Sequence, residues 1–311
     1  MKDRITYYDV AKGILIFLML IGHVWVEGWV RRWIYVFHMP AFFLISGMLQ
    51  RNSASLQKPL YRLALKKARS FLIPYFFFEM LSVGEKVLQF GPDLNIKGYL
   101  YQTVLLQFTN GPLWFLIVLL CAELLFAVAW KIKGASAVCV LTGSLLIGSF
   151  FFPPAWGYVS LPMIATALLF LCVGYLVQPL AVKPAWALLL GSFAVTALLS
   201  VLNPVEIDNY QSGIKGLFLL SGLCGGLFVV QLSEKIKACK PLAFLGRNSL
   251  IILGTHYPLL RAVRWLLHTE QPDLPTGALM LAMILAVEIP LILLINRYLP
   301  FILGKWYQNK T

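Results

Sequence analysis

Two histidines, a lysine and an aspartate stand in stretches otherwise apolar enough to cross a bilayer: Asp9, Lys12 and His23 in the first, His38 in the second. An ionisable group is costly in hydrocarbon, so one kept there marks a candidate site. Lys12 and His23 are eleven residues apart, three helical turns plus about 20°, which puts them on one stripe about 16 Å apart along the axis. Asp9 precedes Lys12 by three residues and is within reach of an ion pair. One helix face thus carries a carboxylate and an amine toward one membrane surface and an imidazole toward the other. Imidazole titrates near neutral pH and suits general acid–base work, and it can equally accept an acyl group itself. The second span begins on the side where the first ends, so His38 is expected at a depth similar to that of His23. Pro40 has no N–H and frees the carbonyl of residue 36, which His38 is placed to satisfy.

A second group is basic. Lys58, Arg62, Lys66 and Arg69 follow the i, i+4, i+8, i+11 spacing of one helix face within the loop 51–69. Such a face suits anionic lipid head groups or a polyphosphate donor such as coenzyme A. Further polar groups inside apolar runs are Glu79, Glu123, His256, Arg261, Arg264, Glu288 and Arg297. Glu123 is expected near the level of Lys12 and His256 near mid-membrane; His38, or Glu123 with His256, would orient the base or the acceptor. Arg261 and Arg264 are expected to face Glu27, Glu288 or an acidic group of the acceptor.

These residues need elements to hold them. The chain has 311 residues, 59% hydrophobic and only 13% charged, where soluble domains carry about 25% charge; mean hydropathy is +0.79. The expectation is an all-α, polytopic bundle forming one domain over 1–311. Ten runs approach the roughly 20 apolar residues a spanning helix needs: 8–27, 33–49, 71–90, 112–130, 135–152, 161–180, 185–203, 214–232, 246–267 and 277–303. With both termini cytoplasmic, 18 of the 26 Lys and Arg fall in inner segments, among them Lys2, Arg4, Lys183, Lys305 and Lys310. Positive charge in short loops sets orientation, so that arrangement is expected. The same bias accounts for most of the net charge of +13, and a nucleic-acid partner is not expected. No small-residue cleavage site follows the first run, which is expected to be a retained helix. Five cysteines without a CxxC spacing indicate neither a disulfide framework nor a metal site. Trp25, Trp29 and Trp33 recur every four residues and suit an interfacial aromatic belt.

The pattern resembles the membrane O-acyltransferases of acyltransferase family 3, within it the group related to fucose 4-O-acetylases. The matching residues are Asp9-x-x-Lys12-Gly13 with His23 after a ten-residue gap, Phe37-His38-Met39-Pro40-x-Phe-Phe-x-Ile-Ser-Gly47, Ile73-Pro74-Tyr75, Leu113-Trp114-Phe115-Leu116, and Leu245-Gly246-Arg247-Asn248-Ser249-Leu250 with His256. The resemblance implies a ten-helix bundle in the cytoplasmic membrane. It also implies acetyl-CoA as co-substrate with no bound cofactor, a carbohydrate acceptor outside the cytoplasm, and a catalytic role for His23. The rival reading is a transporter or flippase for a small solute or lipid-linked sugar, with the polar stripe lining a pathway. The absence of internal repeats counts against it. A structural subunit of a glycan-assembly complex is the third.

Overall fold

The computed structural model describes residues 6–25, 27–91, 95–149, 151, 159–181, 185–203, 205 and 213–304. Lys2, Arg4, Lys183, Lys305 and Lys310 lie outside them. Twelve α-helices follow one another with no strand among the described residues: α1 Thr6–Val24, α2 Trp29–Tyr35, α3 His38–Asn52, α4 Leu60–Phe90, α5 Ile96–Val104, α6 Trp114–Gly148, α7 Leu161–Ala181, α8 Trp186–Leu202, α9 Lys215–Ile236, α10 Lys240–Arg247, α11 Ser249–Leu267 and α12 Leu274–Tyr298. Helices suit such apolar runs because they satisfy every backbone group within the segment.

Six segments among the described residues are long and apolar enough to cross a membrane: Tyr7–Val24, Trp29–Asn52, Gly111–Gly148, Leu161–Gln178, Lys215–Ile236 and Leu274–Tyr298. The fourth and fifth expected runs fall in one of these, Gly111–Gly148, yet Lys133 and Gly134 depart from helical geometry and Gly134 has φ 61°, so α6 is two helices meeting at a kink. The runs 71–90, 185–203 and 246–267 fall on α4, α8 and α11. Of these, α8 is apolar but only 17 residues long.

Two boundaries differ from expectation. The first helix stops at Val24 rather than residue 27, and the run 33–49 is interrupted between Tyr35 and His38, where Phe37 has a non-helical φ of −141°. Trp25 therefore sits beyond the end of α1, packed where a Cβ on Gly277 would stand, while Trp29 and Trp33 stack at 6.2 Å on α2. The four-residue repeat is not one continuous helical stripe.

Helix pairs close where glycine lets backbones touch. A Cβ on Gly13 would lie 1.9 Å from the Leu242 carbonyl oxygen, and one on Gly246 would lie 1.8 Å from that of Asp9. These two glycines lock α1 against α10 on the turn that carries Asp9 and Lys12. At the start of α12, the Asp273 carboxylate accepts from the Thr276 N–H at 3.0 Å, and the Thr276 side chain together with that N–H holds its carboxyl below the usual carboxylate range.

Candidate active site

Three imidazoles gather where α1 ends, α3 begins and α11 passes. His23 lies in the last turn of α1, and His38 is the first residue of α3. Between them α2 turns back and brings the Tyr35 hydroxyl to 3.2 Å from His23 Nδ1 and 3.4 Å from the Gly22 carbonyl. A Cβ on Gly22 would come 2.8 Å from the Tyr35 ring, so the glycine before His23 is what admits the phenol. The Tyr35 and His38 rings are 5.1 Å apart. On the other side, the His256 ring meets that of His23 edge-on at 5.1 Å. His23, Tyr35 and His38 face a cavity of about 450 Å³ whose other walls include Trp114, Tyr257 and Arg261.

Hydrogen-bond partners fix two of the tautomers. A carbonyl only accepts, so His38 donates through Nδ1 to Ile34 at 3.1 Å, and His256 through Nδ1 to Ile252 at 2.8 Å. The carbonyl freed by Pro40, that of Val36, takes the hydroxyl of Ser221 on α9 at 3.3 Å. Contrary to expectation, His38 does not satisfy it; its Nδ1 bonds the carbonyl four residues back, that of Ile34, as His256 does with Ile252.

The cavity's far wall is the non-helical segment before α6. Glu79, fully buried on α4, accepts the N–H of Thr109 at 3.1 Å and of Asn110 at 3.3 Å. The Asn110 amide donates to the Gly254 carbonyl at 2.8 Å, the group left free by Pro258. Arg261 donates Nη1 to the Thr109 carbonyl at 3.3 Å and pairs through Nε and Nη2 with Glu85. Irregular backbone is sustained in this way where it is buried in protein and lines a cavity.

Several expected partnerships fall elsewhere. Arg261 meets neither Glu27 nor Glu288; Glu27 accepts from Gln271 at 3.1 Å, and Glu288 accepts the Thr255 hydroxyl at 2.8 Å. Arg264 donates to the His23 carbonyl at 2.9 Å, closing the open end of α1, and reaches Glu270 at 3.4 Å. Glu123 pairs with Lys67, not with His256 or the cavity. Lys58 ends the 3-10 turn Ala54–Gln57 with extended backbone, and Pro59 caps α4. It is thus off the helix whose first turns carry the exposed Arg62, Lys66 and Arg69.

Asp9 and Lys12 form the ion pair their spacing predicts, at 3.1 Å. It lies toward the opposite end of α1 from His23, away from the cavity. Tyr35, Tyr257 and Glu85 were not singled out by sequence. The one local signal was Tyr35-x-x-His38, a three-residue spacing that places phenol and imidazole together.

The profile of the acyltransferase domain family matches residues 5–295. A nodulation protein, NolL of Mesorhizobium japonicum, is 35% identical over 89 residues, which cover 25% of this chain and 23% of that protein. The match thus spans under a quarter of the relative's length. No solved structure matches the chain.

Proposed function

The chain belongs to the acyltransferase domain family, and from that membership we propose an integral membrane O-acetyltransferase of the fucose 4-O-acetylase-like group. It moves acetyl from cytoplasmic acetyl-CoA to a hydroxyl of an extracytoplasmic or lipid-linked glycan. The observation that carries the reading is His23 on the cavity wall with its Nδ1 at 3.2 Å from the Tyr35 hydroxyl. That hydroxyl has one hydrogen, and the Gly22 carbonyl beside it can only accept. We assign the hydrogen to Gly22, which lets Tyr35 accept Nδ1–H of His23 and leaves Nε2 as the basic nitrogen.

In this mechanism His23 Nε2 takes the proton of the acceptor hydroxyl as its oxygen attacks the thioester carbonyl. The C–S bond breaks, and the departing thiolate collects the proton. Positioned base catalysis of this kind contributes about 10²–10⁴-fold. Trp114 and Tyr257 offer aromatic faces for a sugar ring. Lys12 and the basic turns of α4, Arg62, Lys66 and Arg69, hold the phosphates of the donor, with Lys58 reaching them from the preceding turn.

The membrane arrangement we propose has ten spans, α6 contributing two across its kink, with both termini in the cytoplasm and the chain in the cell's cytoplasmic membrane. It places the basic turns of α4 on the donor side and the cavity in the outer half. Reporter fusions after residues 55, 134 and 238 should read cytoplasm, and those after 95 and 272 outside; a cytoplasmic signal at 95 overturns the arrangement.

The decisive assay is transfer of labelled acetyl from acetyl-CoA to membrane glycan by purified protein in lipid. Consumption of acetyl-CoA with label in carbohydrate supports the reading. Solute movement across the bilayer with acetyl-CoA left intact would support a transporter instead.

A further inference from the structure

The proposed reaction joins two places that the fold keeps apart. Lys12 and His23 share one stripe of α1, about 16 Å apart along the axis, with Ile16 and Met19 between them at helical spacing. Of that stripe, Met19 and His23 line the cavity, whereas Ile16 is 1% exposed and packs in the core. The close approach of Gly246 to Asp9 sets the start of α11 beside the Lys12 end of α1. Leu253 is therefore the lining residue of α11 nearest that end. Met39, on α3, lines the cavity next to His38. Met19, Met39 and Leu253 thus close the cavity toward Lys12 with apolar side chains that are 2%, 8% and 6% exposed.

A thioester whose phosphates are held at Lys12 must cross this floor to bring its carbonyl beside His23. Met19 stands on the direct line, about 10 Å from Lys12 and about 6 Å from His23 along the axis. Its unbranched side chain turns about three bonds, so it can fold away where a branched one cannot. We propose that Met19 is the donor's point of entry: it swings aside to admit the slender, acyl-bearing stem of the coenzyme and otherwise seals the floor. The inference rests on the reading of His23 as the base and of Lys12 as a donor contact. No bond forms or breaks at Met19, and the transfer itself is the one described above. A packing role makes the opposite demand on this position. Met19→Ala would then be the damaging change, because it leaves a hole, and Met19→Ile a mild one, because it keeps the bulk. At an entry point Ile is the damaging residue, since its β-branch holds χ1 nearly fixed in a helix, and Ala leaves the passage open.

In the labelled-acetyl assay, normalised to folded protein, Met19→Ile is expected to lose at least tenfold in kcat. Met19→Ala should keep at least half of it, although it is the variant that unfolds at the lower temperature. Near-wild-type kcat in Met19→Ile, or a folded Met19→Ala without transfer, overturns the inference. A second measurement needs no turnover and keeps the test open if either variant fails to fold. In purified protein in lipid, with the labelling of wild type subtracted, Met19→Cys is expected to react with a membrane-impermeant maleimide through the cavity. Acetyl-CoA without acceptor should slow that reaction at least threefold, and Ile16→Cys, one turn below the floor, should stay unreactive. A Met19→Cys protein indifferent to acetyl-CoA, or an Ile16→Cys protein that reacts as fast, overturns the inference while leaving the function intact. A wild type that transfers no acetyl overturns both.

Discussion

The Tyr35 hydroxyl lies 3.2 Å from Nδ1 of His23, although the two residues belong to different helices separated by Gly28, whose φ is 99°. This contact orients the ring that the proposed mechanism uses as a base. Tyr35→Phe removes it and leaves the ring free to take the tautomer with hydrogen on Nε2. One lost hydrogen bond is worth about 1 kcal/mol net, or roughly fivefold in rate. Turnover should therefore fall at least that far, with the acetyl-CoA requirement unchanged. A Tyr35→Phe protein with full kcat would remove Tyr35 from the mechanism.

His38 gives a contrast with His23. Its Nδ1 bond to Ile34 is one an asparagine amide can also make. His38→Asn should keep a measurable part of wild-type turnover, whereas His23→Ala should fold and lose acetyl transfer. The measurement is the rate per folded protein for both variants side by side. A dead His38→Asn with an active His23→Ala exchanges their roles.

Adjacent lysines on α4 should behave differently. Lys66 is exposed, while Lys67 is paired with Glu123, whose side chain is 6% exposed. Removing one partner of a buried pair costs about 3–5 kcal/mol because the other charge is stranded. Lys67→Ala should lower thermal stability in detergent, and Lys67→Ala with Glu123→Leu should recover much of it. Charge reversal of Arg62, Lys66 and Arg69 together should instead raise the acetyl-CoA concentration needed for half-maximal rate and leave the melting point alone. If the reversal lowers yield and spares kinetics, the basic turns serve lipid head groups and not the donor.

What the sequence made legible was local. The Asp9–Lys12 pair follows from three-residue spacing along one helix, and the wholly helical architecture from apolar runs with few charges. The partnerships it left hidden cross between elements. Glu85 and Arg261 are 176 residues apart, and Glu123 finds Lys67 because of how α4 and α6 cross. No periodicity within α11 tells which neighbour will face Arg261. Glycine contacts such as Gly13 on Leu242 and Gly246 on Asp9 set how closely helices approach, and that approach decides which polar groups meet. The break at Phe37 was hidden for a related reason. The residues around it are apolar and read as one span, while the helix breaks there between Tyr35, which meets His23, and His38.

The wall of the cavity offers the last test, at a residue that touches no substrate. Glu79 accepts two backbone N–H groups at once, those of Thr109 and Asn110, each carboxylate oxygen taking one. Glutamine is nearly the same shape but has one acceptor oxygen, and its amide nitrogen would face the second N–H, donor against donor. A buried donor left unmet costs about 1–3 kcal/mol. The segment can escape that cost only by moving, and it carries Phe108, Thr109, Gly111 and Pro112 into the cavity lining. Glu79→Gln should therefore raise the KM for acceptor more than that for acetyl-CoA, and Glu79→Asp, which keeps both oxygens on a shorter stem, should fall between Gln and wild type. Steady-state kinetics with each substrate varied in turn reads this directly. Equal changes in both KM values, or none, would mean that the wall does not shape the acceptor site.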